Sequence, residues 1–191
     1  MTSEEIAHLV IKIQKGDESA FDQLFYEYSV KAMRTAAFIT GDVSLAEDIT
    51  QETFIKCLQN INSLKTPESF KPWFFRILTR CAWSALNKKK RITPVEEIYE
   101  KAESLLPPVF DSYSIENQCK YELLYTAINM LNKKQRTTII LYYFNNLSIK
   151  EIAQATGSLE ATVKSRLHLA KKYLKNSLIK HALEGEPVYE K

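Results

Sequence analysis

Ala161, Lys164, Ser165, His168 and Lys172 recur at three- and four-residue spacing, so on a helix they share one side. Ser158, Glu160 and Thr162 surround the start of that series, and Arg166 stands beside it. Small, polar and basic groups near a helix N-terminus can read base edges in a DNA major groove: the cations and hydroxyls supply donors, and the small residues allow close approach. Arg166, Lys171 and Lys172 add charge suited to phosphates. The other side of the same segment, Val163, Leu167, Ala170, Leu174 and Leu178, is apolar at helical period and needs a partner. Ile149, Ile152 and Ala153 supply one on a preceding helix, Ile149–Thr156. Ser148 and Glu151 form a capping box at its start, and Gly157 ends it because glycine takes the left-handed conformation at no steric cost. Ser158 is expected to cap the next helix. The whole is a helix-turn-helix. A plain amphipathic helix with a solvated basic side has the same period, but the two caps, the turn glycine and the basic face together favour the DNA-reading form.

A second candidate face lies on Pro72–Asn87. Phe74, Leu78, Ala82 and Leu86 make a core stripe, with Trp73, Ile77, Cys81 and Ala85 beside it. Arg76, Thr79, Arg80, Trp83 and Asn87 point away and run into Lys88, Lys89, Lys90 and Arg91. Arginine and lysine meet phosphates, while an exposed aromatic or amide meets an unstacked base. Trp73 and Phe74 are expected in the core; Trp83 fits either core or DNA.

Charge follows the same division. Residues 1–60 hold ten acids and five bases, and 71–91 hold seven bases and no acid. Residues 93–120 hold six acids and two bases, and 148–180 hold seven bases and two acids. Two basic segments separated by acidic ones suit two contacts on one polyanion. Enzymatic chemistry has no support: there is no glycine-rich phosphate loop, and His8, His168 and His181 are scattered. Cys57, Cys81 and Cys119 form no metal-ligand spacing, so buried free thiols, no metal and no cofactor are expected. With no apolar run long enough to span a bilayer and no signal-peptide pattern, a cytoplasmic protein without membrane insertion is expected.

The elements that must position these faces are almost all helical, since Gly and Pro number only 4 and 6 in 191 residues. Helices are predicted over Glu4–Lys15, Ser19–Thr40, Ser44–Asn60, Phe70–Lys89, Ile115–Leu131 and Lys133–Phe144, ahead of the helix-turn-helix. Asn62–Ser69 reads as a loop, and Thr93–Ser114, with Pro94, Pro107 and Pro108, as a linker. On Ser44–Asn60, Ala46, Ile49, Phe54, Ile55 and Leu58 are the expected apolar side, and Glu47, Asp48, Gln51 and Glu52 the outward one. The fold class is therefore all-α.

The order of segments resembles the extracytoplasmic-function (group IV) class of bacterial sigma factors, in the sigma-70 family. Gly16–Phe21, Ala46–Phe54 and Phe70–Ile77 with the basic run are similar to its sigma-2 domain. Leu131–Arg136, Leu147–Ala153 and Thr162–His168 are similar to sigma-4. The resemblance implies two small helical domains, 1–91 and 115–180, joined by a flexible acidic linker, 92–114, with a tail, 181–191. It implies a non-enzymatic initiation factor that binds core RNA polymerase and promoter DNA and is controlled by an anti-sigma factor. Sigma-4 would read the −35 element through Ser158, Glu160, Ala161, Thr162, Lys164, Ser165, Arg166, His168 and Lys172. Sigma-2 would capture and melt the −10 element with Asn62, Ser63, Leu64, Arg76, Arg80, Trp83, Asn87, Lys88, Lys89 and Arg91. Glu47, Asp48, Gln51 and Glu52 would meet the polymerase clamp helices, and Lys133–Phe144 the flap tip. Ala161, Leu169, Cys81 and Ser84 depart from residues frequent in the family, which leaves the promoter sequence undefined. The alternative is a stand-alone helix-turn-helix regulator that needs no polymerase.

Overall fold

Side chains that cap helix ends set the path of the chain. In a computed structural model, residues 1–92 and 123–184 are described, the side chains of 90–92 and 181–184 excepted. Helix α1, Ser3–Gln14, starts at a capping box in which the Glu5 N–H donates to Thr2 Oγ1 and the Thr2 N–H to Glu5. Asp17 caps α2, Glu18–Thr40, by accepting from the Ala20 N–H at 3.2 Å. Gly41, at φ +71°, closes α2 in the left-handed region, and Asp42 at once caps α3, Val43–Asn60. Each such cap contributes about 0.5–2 kcal/mol. The Gly-Asp pair leaves no slack, so α2 and α3 fold back as a tight hairpin.

Between α3 and α4, Phe70–Ile92, the expected loop is two short 3₁₀ turns, Ile61–Ser63 and Pro67–Ser69. Gln14 on α1 pins it: its Nε2 donates to the carbonyls of Ile61 and Leu64, each at 2.9 Å. Beneath the loop lies an aromatic core. Tyr28, Phe54, Phe70, Phe74 and Phe75 are buried, with Phe74 5.0 Å from Tyr28 and 5.2 Å from Phe54 between ring centroids. Each such pair adds about 0.5–1.5 kcal/mol beyond the burial of its area. Cys57 and Cys81 are free and buried, and burial pushes the Cys57 thiol up to about 12, so it is inert.

The C-terminal half runs α5 (123–129), α6 (Lys133–Tyr143), α7 (Ile149–Thr156) and α8 (Glu160–Glu184). Asn132 caps α6, Ser148 and Glu151 form the predicted capping box of α7, and Gly157 ends α7 at φ +61°. Ile152, Ala153, Val163, Leu167 and Ala170 are buried between α7 and α8, as the apolar periods require.

The two halves pack against each other. Helix α7 lies along α4, α6 touches α2, and one apolar cluster runs through both halves. Thr79, expected to point outward, is buried, at 1% exposure. It lies one turn before Trp83 on the side of α4 that meets the C-terminal half. The expected linker beyond residue 92, Cys119, the first part of the predicted helix Ile115–Leu131 and the tail beyond residue 184 lie outside the described residues. No helix among the described residues is long and apolar enough to cross a membrane.

Candidate nucleic-acid interface

The N-terminal turns of α8 present Glu160, Ala161, Lys164, Ser165, His168 and Lys172 to solvent, with Thr162 half-buried. The sequence pattern had brought these together, and the structure does so because Val163 and Leu167 are anchored beneath them. The Ser165 hydroxyl donates back to the Ala161 carbonyl at 3.0 Å, which leaves its lone pairs turned outward as acceptors. Two details differ from expectation. Helix α8 begins at Glu160, so Leu159 rather than Ser158 stands immediately ahead of it. Ser158 Oγ instead accepts from Arg166 Nη1 at 2.8 Å, which half-buries Arg166 and holds it at the helix start. Lys171 reaches back over the Tyr143 ring, 5.7 Å from its centroid.

On the N-terminal half, α4 and the pinned loop enclose a groove of about 420 Å³ lined by Lys56, Asn60, Ser63, Trp73, Arg76, Ile77, Arg80 and Cys81. Arg76 and Arg80 are exposed one turn apart on its wall. Lys56 is tied to Glu52 at 2.6 Å and points its ammonium at Cys81 Sγ, 3.7 Å away. The groove thus offers two free guanidinium groups, a half-buried indole and the amide and hydroxyl of the loop. That set suits an unstacked base with flanking phosphates.

Several predicted residues fall elsewhere. Leu64 is buried, at 8% exposure, because its side chain roots the loop in the core; it presents nothing to a ligand. Asn62 and Ser63 are exposed at the loop surface. Trp83 is half-buried, and its Nε1 donates to Thr137 Oγ1 of α6 at 3.0 Å. Asn87 Oδ1 accepts from Lys133 Nζ at 2.9 Å. Lys89 pairs with Asp42 at 2.8 Å and lines, with Lys88, a second groove whose other wall carries Asp48 and Glu52. Partial burial alone would raise the Asp42 carboxyl, but the Leu45 N–H and the Lys89 ammonium outweigh it and hold the carboxyl below its ordinary value. The Arg91 side chain lies outside the described residues. Sequence reasoning missed Trp73 and Asn60 in the first groove. The available signal was angular: at about 100° per residue Trp73 projects with Arg76, Ile77 and Arg80, not with Phe74.

Glu47, Asp48, Gln51 and Glu52 are exposed on α3, as predicted. Ile55 and Leu58, predicted as core, are 57% and 51% exposed. They project with Glu47, Asp48 and Gln51, opposite the buried Ala46, Ile49, Thr53 and Cys57. This face mixes acidic and apolar groups, and its carboxylates disfavour a phosphate backbone.

Comparison with known proteins matches two separate stretches of the chain. The family described as Sigma-70 region 2 matches residues 24–92, and Sigma-70, region 4 matches residues 121–174. The chain is 36% identical over 138 residues to RNA polymerase sigma factor SigV of Bacillus subtilis, covering 72% of this chain and 78% of that protein. It is 28% identical over 174 residues to the ECF RNA polymerase sigma factor SigW of the same organism, covering 87% of this chain and 93% of that one. Among solved structures, CnrH in complex with the cytosolic domain of CnrY superposes with TM-score 0.70 at 17% identity, covering 92% of this chain and 98% of that one. RpoE of Bartonella quintana, in complex with the anti-sigma factor NepR, gives 0.69 at 24% identity, covering 83% and 96%. These two likenesses show the fold.

Proposed function

The chain belongs to the extracytoplasmic-function class of sigma-70 family RNA polymerase sigma factors, and from that premise we propose how its residues divide the work of the family. It is a transcription initiation factor, not an enzyme: it binds core RNA polymerase and directs it to promoters. The observation that carries the residue-level reading is that two cationic faces of different character stand on different halves of one chain. One is a convex helix face suited to duplex; the other is a groove suited to a base outside the stack.

Helix α8 enters the major groove of the −35 element. Lys164, Ser165 and His168 meet base edges there, while Arg166 and Lys172 meet phosphates. Asn60 at the end of α3, Ser63 of the loop and the Trp73, Arg76 and Arg80 wall take a −10 base from the melted strand, a step that costs a few kcal/mol of unstacking and so needs a pocket with phosphate anchors close by. The α3 face, Glu47, Asp48, Gln51 and Glu52 with Ile55 and Leu58, docks on the clamp helices, and α6 on the flap tip. An anti-sigma factor silences the chain, a reading supported by the anti-sigma partner in the Bartonella complex.

Run-off transcription with purified core polymerase on a panel of −35 variants tests this. Wild-type chain produces defined transcripts. Lys164→Ala shifts the order of preference among the variants, with about 1–3 kcal/mol lost at the base it reads. Lys172→Ala weakens all variants alike and flattens the salt dependence by about one phosphate contact. Equal loss on every variant for Lys164→Ala moves that residue to the phosphate class; no chain-dependent transcript overturns the function.

A further inference from the structure

We propose that Leu159 packs against the C5 methyl of a thymine in the −35 element, so that the chain selects a T·A pair at one position by an apolar contact. The proposal rests on the promoter-binding reading above and adds a specificity residue to the α8 face.

A single exposed leucine on a protein surface is ordinary. The position of this one is not. Helices α1, α2, α3, α6 and α7 start on Thr2, Asp17, Asp42, Asn132 and Ser148, and each of these side chains accepts a first-turn N–H. The residue ahead of Glu160, where α8 begins, is Leu159, whose side chain can accept nothing. Its carbonyl accepts from the Val163 N–H at 3.0 Å, so its backbone does hold the capping position. Leucine is among the poorest occupants of that position and asparagine among the best. Packing does not compensate, since Leu159 is 76% exposed. A stabilising rule broken with nothing gained inside the fold marks a functional position.

The turn holds this leucine in a fixed place. Gly157 ends α7 at φ +61°, the Ser158 N–H donates to the Ala153 carbonyl at 3.0 Å, and Ser158 Oγ accepts from Arg166. Leu159 therefore stands at the leading end of the helix that enters the major groove, beside the exposed Glu160 and Ala161. The short Ala161 side chain leaves room for close approach. Lys164, Ser165 and His168 offer hydrogen bonds and charge, which cannot read a methyl group. The thymine methyl is the apolar feature of the major-groove edge, and an apolar side chain is what recognises it. Lys164 lies about 7.5 Å further along the axis, or about two base-pair steps. The thymine is thus expected about two base pairs from the base that Lys164 reads. Leu169, also exposed at 52%, lies about 15 Å from Leu159 along α8. The major groove is only about 12 Å wide, so Leu169 does not reach the same methyl.

Deoxyuridine tests the proposal, because it removes the thymine methyl and leaves every hydrogen-bonding group in place. Each −35 thymine, on either strand of a promoter found by run-off transcription, is replaced singly. Affinity is measured by competition for the holoenzyme of full chain and core polymerase. The wild-type holoenzyme is expected to lose about fourfold at one position, the effect of burying one methyl group. Leu159→Ala and Leu159→Asn bind the thymine and uracil forms equally, while Leu169→Ala keeps the fourfold difference. Leu159→Asn also raises the melting temperature of the free chain by about 2–4 °C, because it restores a cap. Discrimination lost in a more stable protein is then no folding defect. Uracil tolerated by wild type at every −35 position, or a fourfold loss that persists in both Leu159 variants, overturns the proposal and leaves promoter binding standing. A holoenzyme that binds no promoter removes the reading beneath it as well.

Discussion

Reversing Glu47, Asp48 and Glu52 to lysine lowers affinity for core polymerase by about a thousandfold, because close interfacial charge pairs couple by roughly 1.5–7 kcal/mol each and like charges are then forced together. The fold survives the change. All three side chains are exposed, and the ion pair lost, Glu52–Lys56, is an i,i+4 surface pair that contributes only tenths of a kcal/mol. Affinity is read by competition for fluorescent core enzyme, and helicity by circular dichroism. Transcription falls in parallel with binding, while −35 duplex contact by α8 is untouched. Normal polymerase affinity in a fully helical triple variant would remove the α3 face from the interface and leave Ile55 and Leu58 without a partner.

Removing Arg76 and Arg80 together with the Trp73 indole abolishes open-complex formation while sparing assembly with polymerase. Stacking of one base on an aromatic ring is worth about 1–3 kcal/mol, and two guanidinium groups add their phosphate contacts. The loss is on the order of a hundredfold to a thousandfold. Permanganate reactivity of −10 thymines reports it. Arg76→Ala/Arg80→Ala alters exposed side chains only, so it carries the charge half of the test without touching the core. Trp73 packs on Phe70, 5.9 Å between centroids, so Trp73→Phe serves as the control that keeps packing and a smaller stacking face. A pre-melted bubble restores initiation if the residues act in melting, but not if they capture the base. Normal permanganate reactivity in the double arginine variant would place strand capture elsewhere on the N-terminal half.

Much of this was legible because capping chemistry is local. Ser148, Glu151 and Gly157 define α7 from sequence alone, and the structure keeps those bounds. Local period also separated the buried Val163, Leu167 and Ala170 from the exposed Lys164 and His168. The misreadings share one cause: a period locates a stripe but not how many neighbours cover it. Ile55 and Leu58 continue the apolar content of α3, yet α2 and α4 cover only the opposite arc, and both stay exposed. Thr79, expected outward, is buried, and the partner that holds Trp83 on α6 lies far along the chain, so no local pattern could decide between its core and DNA readings. The tryptophans divide for the same reason. Trp73 lines the groove, while Trp83 is held by Thr137. Leu64 shows the converse, a residue inside a polar loop that roots it in the core.

The central claim is tested most directly by run-off transcription on a fragmented genomic library, with purified core polymerase, with and without the chain. Predicted is a small set of chain-dependent transcripts whose upstream regions share paired −35 and −10 elements, with no footprint by the free chain on those fragments. Tight, sequence-specific footprints by the chain alone, with no transcript that depends on it, would contradict the account and favour a stand-alone helix-turn-helix regulator.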